Sequence, residues 1–262
     1  MKLFIITQNA PMYLAEFLDD FLGRVDASGH KVEGICLLSP FFKKSVLQGI
    51  AERYRYYGFT DFCKMAAHIA RNKLMALVCR LVPALGCYSV DNVLRKYGLA
   101  DHKTGSINSA EFVGHIRESG IDVIISIASS QIFKHELLHA ARKGCINYHT
   151  AILPRYRGRQ PLFWALLNGE REVGISIHEM DEELDNGPII AQVRIPVSPE
   201  DTLHSIYRKT IAAGPALLMD AVATLEAGCG DRLPNDAGQK TCYRFPTRAD
   251  ARLFKERGRR FF

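Results

Sequence analysis

Three short stretches of this 262-residue chain carry side chains suited to work on a carbonyl. Asn147-Tyr148-His149 is the first, and Leu153-Pro154-Arg155-Tyr156-Arg157-Gly158 the second. The third runs from Gly174 to Pro188 and contains Asp185 and Gly187. Asn, His and Asp together suit acyl transfer. When an amine attacks a carbonyl, the tetrahedral intermediate carries charge on oxygen, which an amide N–H and a protonated imidazole can stabilise. A carboxylate beside the imidazole favours the cationic ring and can help the amine lose its proton. With the amine as nucleophile, no activated Ser or Cys is required. An isolated Asn-x-His is equally familiar as a structural pair, so spacing alone leaves both readings open.

The other histidines, at 30, 68, 102, 115, 135, 139, 178 and 204, stand outside any motif. His135 and His139 are four apart on an expected helix, which is metal-ligand spacing, but no third ligand accompanies them, and no metal is expected. The cysteines at 36, 63, 79, 87, 145, 229 and 242 include no Cys-x-x-Cys pair and are odd in number. They read as reduced, mostly buried thiols of a cytoplasmic protein. Trp164, among Leu162, Phe163, Leu166 and Leu167, reads as core.

These residues need a scaffold. Lys2–Thr7 is a short apolar run that predicts a buried strand. Pro11 opens a segment with Tyr13, Leu14, Phe17, Leu18, Phe21 and Leu22 at helical spacing, stopped by Gly23. Lys31–Leu38 predicts a second strand, and strand, helix, strand is the opening of an open α/β sheet. Phe41–Leu99 is then mostly helical in pattern, with Phe62, Met65, Ile69, Leu74, Leu77 and Leu81 on an apolar face and basic residues around it. Two readings remain: an insertion packing on the main sheet, or a basic amphipathic helix resting on a membrane or a partner. Further strands are expected at Asp122–Ala128, Cys145–Tyr148, Gly174–Met180 and Ile189–Pro196. Further helices are expected at Ser109–Glu118, around Lys134–Arg142, and at Leu162–Asn168 and Thr202–Ala227. The fold class expected is α/β: an open Rossmann-like, mostly parallel sheet with helices on both faces, a helical insertion over about 40–100 and a short C-terminal extension. One domain would cover 1–228 and a basic extension 229–262. Open α/β folds place ligands at the carboxyl ends of their strands.

A composition of 47% hydrophobic and 24% charged residues excludes a disordered chain, a disulfide miniprotein and a fibrous repeat. The net charge of +6 would suit nucleic acid, a membrane surface or an anionic substrate. Its distribution narrows the choice. Residues 40–99 hold ten Lys+Arg against three Asp+Glu, and residues 240–262 hold eight against two. The remainder, which bears the motifs, is acidic, with sixteen against twenty-three, so nucleic acid is not expected as a partner. Gln8 and Asn9 interrupt the first apolar run, so no signal peptide is read, and no run reaches roughly 18 apolar residues.

Taken in order, Asn147-x-His149, the Leu153-Pro154 loop with Arg157-Gly158, and Gly174…Leu184-Asp185-x-Gly187 resemble the signature of the 10-formyltetrahydrofolate-dependent formyltransferases, over about residues 121–225. Glu179 departs from the apolar or aromatic residue usual there. The resemblance implies that Asn147 hydrogen-bonds the formyl oxygen, that His149 stabilises the oxyanion, and that Asp185 orients or charges His149 and helps the amine lose its proton. It implies 10-formyltetrahydrofolate as co-substrate and no metal. Ser126, Ile127, Ala128, Ser129 and Ile132 would form one wall of the pterin pocket, and Met180, Glu183, Leu184 and Gly187 the other, with backbone groups holding the ring.

Within that family the resemblance also implies an acceptor. The tRNA-directed members carry a further C-terminal barrel, and only about 30 residues follow the long helix here. The glycinamide enzymes open with a glycine-rich phosphate loop where this chain has Thr7-Gln8-Asn9-Ala10-Pro11. The formate-releasing hydrolases carry an N-terminal domain. Tyr156-Arg157-Gly158-Arg159-x-Pro161-Leu162 is similar to the sugar enzymes, including the one acting on 4-amino-arabinose. The expected acceptor is therefore a small-molecule amine on a nucleotide sugar, met by Gln8, Asn9, Tyr156, Arg157 and Arg159. The arginines 155, 157 and 159 could grip a diphosphate or brace the loop bearing Asp181, Glu182 and Glu183. Another amine of secondary metabolism, such as a hydroxylated ornithine, or a non-catalytic folate- or sugar-binding module, remains open. So do a weak membrane-surface contact through 60–85 and a homodimer.

Overall fold

The structure is a computed structural model that describes residues 1–10, 12–39 and 46–262, without the side chains of Val46 and Leu47. Pro11, expected to open the first helix, and Phe41–Ser45, expected to begin the insertion, lie outside the described residues. In chain order the elements are β1 (Lys2–Gln8), α1 (Leu14–Ala27), β2 (Lys31–Leu38), α2 (Val46–Tyr57), α3 (Phe59–Leu81), α4 (Val90–Lys96) and α5 (Ala110–Glu118). Then come β3 (Val123–Ile127), α6 (His135–Leu138), β4 (Cys145–His149), β5 (Arg157–Gly158), α7 (Pro161–Leu167), β6 (Glu172–Glu179) and β7 (Ile189–Pro196). The chain closes with α8 (Leu203–Ala227), β8 (Cys242–Tyr243) and α9 (Arg248–Glu256).

Six strands form one sheet in the order β2-β1-β3-β4-β6-β7. The first four run parallel; β6 and β7 are antiparallel additions on the β4 side. Successive side chains of a strand point to opposite faces, and both faces are dry here. Leu3 and Ile5 of β1 join Val123 and Ile125 of β3 in a cluster under α1, α7 and α8. Phe4, Ile6 and Ile124 join a second cluster under α5 and α6, with Phe112, Ile116 and Leu137. This is the mostly parallel, doubly covered sheet expected from the run of isoleucines.

Two boundaries differ from expectation for local reasons. Gly23 does not stop α1, because Val25 beyond it is buried; the helix ends at Ser28, before Gly29 with φ 75°. The helix expected around Lys134–Arg142 is only α6. The helix α8 is long and apolar enough to cross a membrane by length and composition. In this fold Leu203, Ile206, Leu218, Val222 and Leu225 turn that hydropathy onto the sheet core.

The insertion differs more. The buried positions of α3 are Asp61, Met65, Asn72 and Cys79, whereas Leu74, Leu77 and Leu81 of the expected apolar face are 63, 57 and 84% exposed. The face that packs is a mixed one, with Asp61 and Asn72 beside Met65 and Cys79. The insertion reaches the core directly through α4, whose Val90, Val93 and Leu94 join the main cluster, and through α2 and the C-terminal segment. The rings of Tyr57 and Phe261 meet edge-on at 5.0 Å, Phe163 of α7 stacks on Phe254 of α9 at 4.8 Å, and Lys255 Nζ pairs with Asp61 at 2.8 Å. Phe254 and Phe261 are fully buried in the same cluster as α1 and α8.

Candidate active site

The antiparallel register of β4 and β6 sets Asn147 opposite His178 and His149 opposite Ser176. Directly opposed residues of a ladder share one face. Over that face folds the segment from Met180 to Pro188, which brings Asp185 to the pair. Asn147 Nδ2 lies 3.3 Å from Asp185 Oδ1 and 3.2 Å from His178 Nε2, so both amide hydrogens are directed inward. His149 Nε2–H donates to the carbonyl of Tyr156 at 2.9 Å, leaving Nδ1 facing Asp185 Oδ2 at 3.8 Å. His178 Nδ1–H donates to the carbonyl of Glu179 at 2.7 Å, so its Nε2 faces Asn147 and, at 3.6 Å, Asp185 Oδ1. The two histidines are nearly inaccessible.

Burial alone would raise the Asp185 pKa. The charge of His149, the closeness of His178 and the N–H of Gly158 at 2.8 Å outweigh it and hold the carboxyl well below the usual carboxylate range. The group is thus a buried carboxylate between two imidazoles, held by the Asn147 amide and a backbone donor. It can accept a proton through His149, and an amide that releases Asp185 can donate to an oxygen developing charge nearby.

The loop that presents Asp185 is pinned from below. Asp185 has φ 49°, a left-handed backbone that a non-glycine residue holds only when its surroundings impose it. Gly187 packs so tightly that a Cβ there would land on the Glu179 carbonyl oxygen. Asn235 Nδ2 donates to the carbonyls of Asp185 and Gly187, both at 2.9 Å. Arg157 is 3% exposed, and its guanidinium donates to Asn186 Oδ1 at 2.8 Å and Asn235 Oδ1 at 2.9 Å. Of the two roles open to Arg157, these bonds serve the bracing of the loop. Tyr156 is likewise buried: its ring stacks on Tyr243 at 5.2 Å, its hydroxyl donates to Glu170 at 2.7 Å, and its backbone carbonyl is the group that meets His149. Arg155 pairs with that same Glu170. Arg159 is exposed; partial burial lowers its pKa and the charge of Asp185 offsets this, which places Arg159 within the field of the carboxylate.

The remaining expected residues lie on the surrounding loops. Ser126 and Ile127 are buried in β3 itself, and Ala128 just beyond has φ 52°. Ser129 Oγ closes the turn by donating to Gln131 O at 3.0 Å, and Ile132 is 78% exposed. Opposite, Met180 N donates to Cys145 O at 2.8 Å, Glu183 N donates to Asp181 Oδ1 at 2.9 Å, and Leu184 is 57% exposed. His135 of α6 reaches Glu182 at 2.9 Å and ties the two sides together. Two large apolar side chains held open beside a turn suit a flat ring, which is the fit a pterin requires. Gln8 ends β1 and Asn9 is exposed after it. Near that turn a cavity of about 610 Å³ opens between α1, α3 and α8, lined by Glu16, His68, Arg71, Asn72, His204 and Arg208. A second cavity, of about 460 Å³, lies beyond the Thr150–Tyr156 loop and does not include Asn147, His149 or Asp185. Among the described residues, no group of three or more His, Cys, Asp and Glu converges to hold a metal.

Two site residues escaped the sequence reading. His178 alternates with Ser176 between isoleucines, and two polar residues on one face of an apolar strand are a signal that the face meets something polar. Asn235 sits in a segment that read only as turns, and nothing in its neighbourhood announces a role.

A family model described as formyl transferase matches residues 87–222, more than half of the chain. The methionyl-tRNA formyltransferase of Kosmotoga olearia is 34% identical over 174 residues, 66% of this chain and 56% of that protein. That of Desulforamulus reducens is 37% identical over 131 residues, 50% of this chain and 41% of that protein. The chain spans about half the length of the curated relatives it matches. Among solved structures, glycinamide ribonucleotide transformylase 1 from Symbiobacterium toebii superposes with a TM-score of 0.60 at 14% identity, over 90% of this chain and 94% of that one. A sugar N-formyltransferase from a Shewanella species superposes with a TM-score of 0.58 at 21% identity, over 97% and 87%. At such identities the likeness is one of fold. The segment matched by the family model holds Asn147, His149 and Asp185 together, and by that match the chain belongs to the formyl transferase family.

Proposed function

We propose that this protein transfers a formyl group from 10-formyltetrahydrofolate to the primary amine of a small acceptor, by direct attack of the amine. The observation that carries the reading is the convergence of Asn147, His149 and Asp185 beneath one pinned loop. The folate supplies an activated formyl carbon when bound, between the turn at Ala128–Ile132 and the loop at Met180–Gly187. Asp185, held as a carboxylate, faces Nδ1 of His149. A proton on the His149 ring and one amide hydrogen of Asn147 would lie where the carbonyl oxygen gains charge. The amine nitrogen bonds the formyl carbon, the carbon's bond to the folate nitrogen breaks, and the proton lost by the amine passes by way of Asp185 to that leaving nitrogen, releasing tetrahydrofolate.

For the acceptor we infer a nucleotide-linked amino sugar. Arg71 and Arg208, with His68 and His204, face a cavity beside the turn after β1, and two guanidiniums suit a phosphate group. Methionyl-tRNA is the second reading, and the identity to methionyl-tRNA formyltransferases favours it. A formylation assay with 10-formyltetrahydrofolate tests both, run in parallel on a nucleotide-linked amino sugar and on methionyl-tRNA. Turnover of the sugar alone is expected. Turnover of the tRNA alone would replace the acceptor, and no turnover of any primary amine would overturn the enzymatic reading.

A further inference from the structure

The helix α3 carries its apolar stripe on the outside. From Cys63 the residues Ala67, Ala70, Leu74, Leu77 and Leu81 follow in alternating steps of three and four, and every one is exposed. Phe59, 68% exposed, starts the line one turn earlier, and Val82 and Leu85 extend it at 46 and 48% exposure. Over the 23 residues of α3, about 34 Å of helix, no charged side chain interrupts that line. The charges flank it: Lys64 and Arg71 lie on one side, Lys73 and Arg80 on the other, all exposed. The polar residues Asp61, His68 and Asn72 face inward instead.

An apolar face this long and this open needs an occupant. Its spacing would also suit a coiled-coil seam with a second copy. The flanks argue against that: the charged side chains beside the stripe are all basic, so a two-fold pairing would set cation against cation. An apolar line between two basic rows complements a surface that is oily within and anionic above. We propose that α3 and the turn after it, up to Leu85, form a docking surface for an anionic lipid bilayer, with the helix lying in the plane of the interface. The leucines enter the acyl boundary, and Lys64, Lys73 and Arg80 meet lipid phosphates. The region 40–99, with ten basic against three acidic residues, supplies the longer-range attraction. The cavity with His68, Arg71 and Arg208 then opens on the side of α3 turned toward the body of the protein.

The test is flotation of the full chain with vesicles of phosphatidylcholine alone and of phosphatidylcholine with phosphatidylglycerol. Co-flotation with the anionic vesicles at low salt is expected, weakening as salt rises. A Leu77→Asp, Leu81→Asp variant changes only exposed positions, so its melting curve should match wild type while its vesicle binding falls at least ten-fold. A Lys73→Gln, Arg80→Gln variant should lose the preference for anionic vesicles. Absence of co-flotation would overturn the proposal, and so would equal binding of neutral and anionic vesicles. Light scattering that showed a dimer broken by the leucine variant would overturn it too, by assigning the stripe to a second copy.

Discussion

His149 gives its Nε2 proton to the backbone carbonyl of Tyr156 at 2.9 Å. A carbonyl can only accept, so this bond fixes the ring: Nδ1 is the atom left to exchange a proton, and it is the atom turned to Asp185. The group that orients the imidazole is thus a loop backbone carbonyl, and the group its free nitrogen faces is a buried carboxylate.

Replacing Asp185 with Asn keeps an acceptor for the Gly158 N–H and removes the charge. Turnover should fall by about 10²- to 10⁴-fold, the usual range for a lost acid–base group, with the fold retained. The native carboxyl titrates below its unfolded value. Its contribution to stability is therefore complete above about pH 4 and is lost as pH falls through the depressed native pKa. Denaturation midpoints of wild type and Asp185→Asn should converge on acidification. A variant turning over at near wild-type rate would refute the site.

His178 acts through Asn147 and Asp185, so it is a positioning residue. His178→Phe removes one of the two partners of the Asn147 amide and the side-chain donor to the Glu179 carbonyl, a loss of about 1–3 kcal/mol per buried polar group left unsatisfied. His178→Gln can replace the bond to Asn147. Turnover should recover in Gln relative to Phe, with KM little changed in both. Equal activity in the two variants would show that the contact does not matter.

Gly187→Ala should displace the loop, because its Cβ would meet the Glu179 backbone, which cannot give way without breaking β6. The expected result is a lower melting temperature together with a loss of kcat/KM, reported by one variant in one preparation.

Phe261→Ala removes a fully buried ring packed on Phe163, Phe254 and Tyr57. A cost of about 3–5 kcal/mol is expected, read from denaturant midpoints. The tyrosines of α2 should become accessible to protease at the same time.

Cys63, Cys229 and Cys242 are exposed, and Cys36, Cys79 and Cys145 are buried. Burial, with Asp101 nearby, pushes the Cys36 thiol up to about 12, and burial, with Asp19 next in effect, pushes Cys87 up to about 11. A thiol reagent at pH 8 should label three sites rapidly in the native protein and all seven in denaturant. Rapid native labelling of Cys36 would contradict the packing.

The sheet was legible because its strands are short runs of isoleucine and valine bounded by turns, and Asn147, His149 and Asp185 were legible because their motifs keep an order. What the chain concealed was direction. The apolar spacing of α3 marks a face without saying whether it points in or out, and the buried polar residues of the same helix decide that only in three dimensions. Arg157 reads as a ligand for phosphate because arginines in loops are usually exposed, yet Asn186 and Asn235, distant in sequence, supply it with internal partners. The aromatic residues after Arg244 resemble an appendage until Phe163 is placed beside them.

Asn235 and the strand β8 come late in the chain, and they hold the loop of Asp185 and the Arg157–Gly158 turn. During synthesis the nascent chain therefore carries Asn147, His149 and Asp185 well before it can arrange them. Until about residue 243 has left the ribosome, Asn147, His149 and Asp185 are present without the contacts that pin their loop.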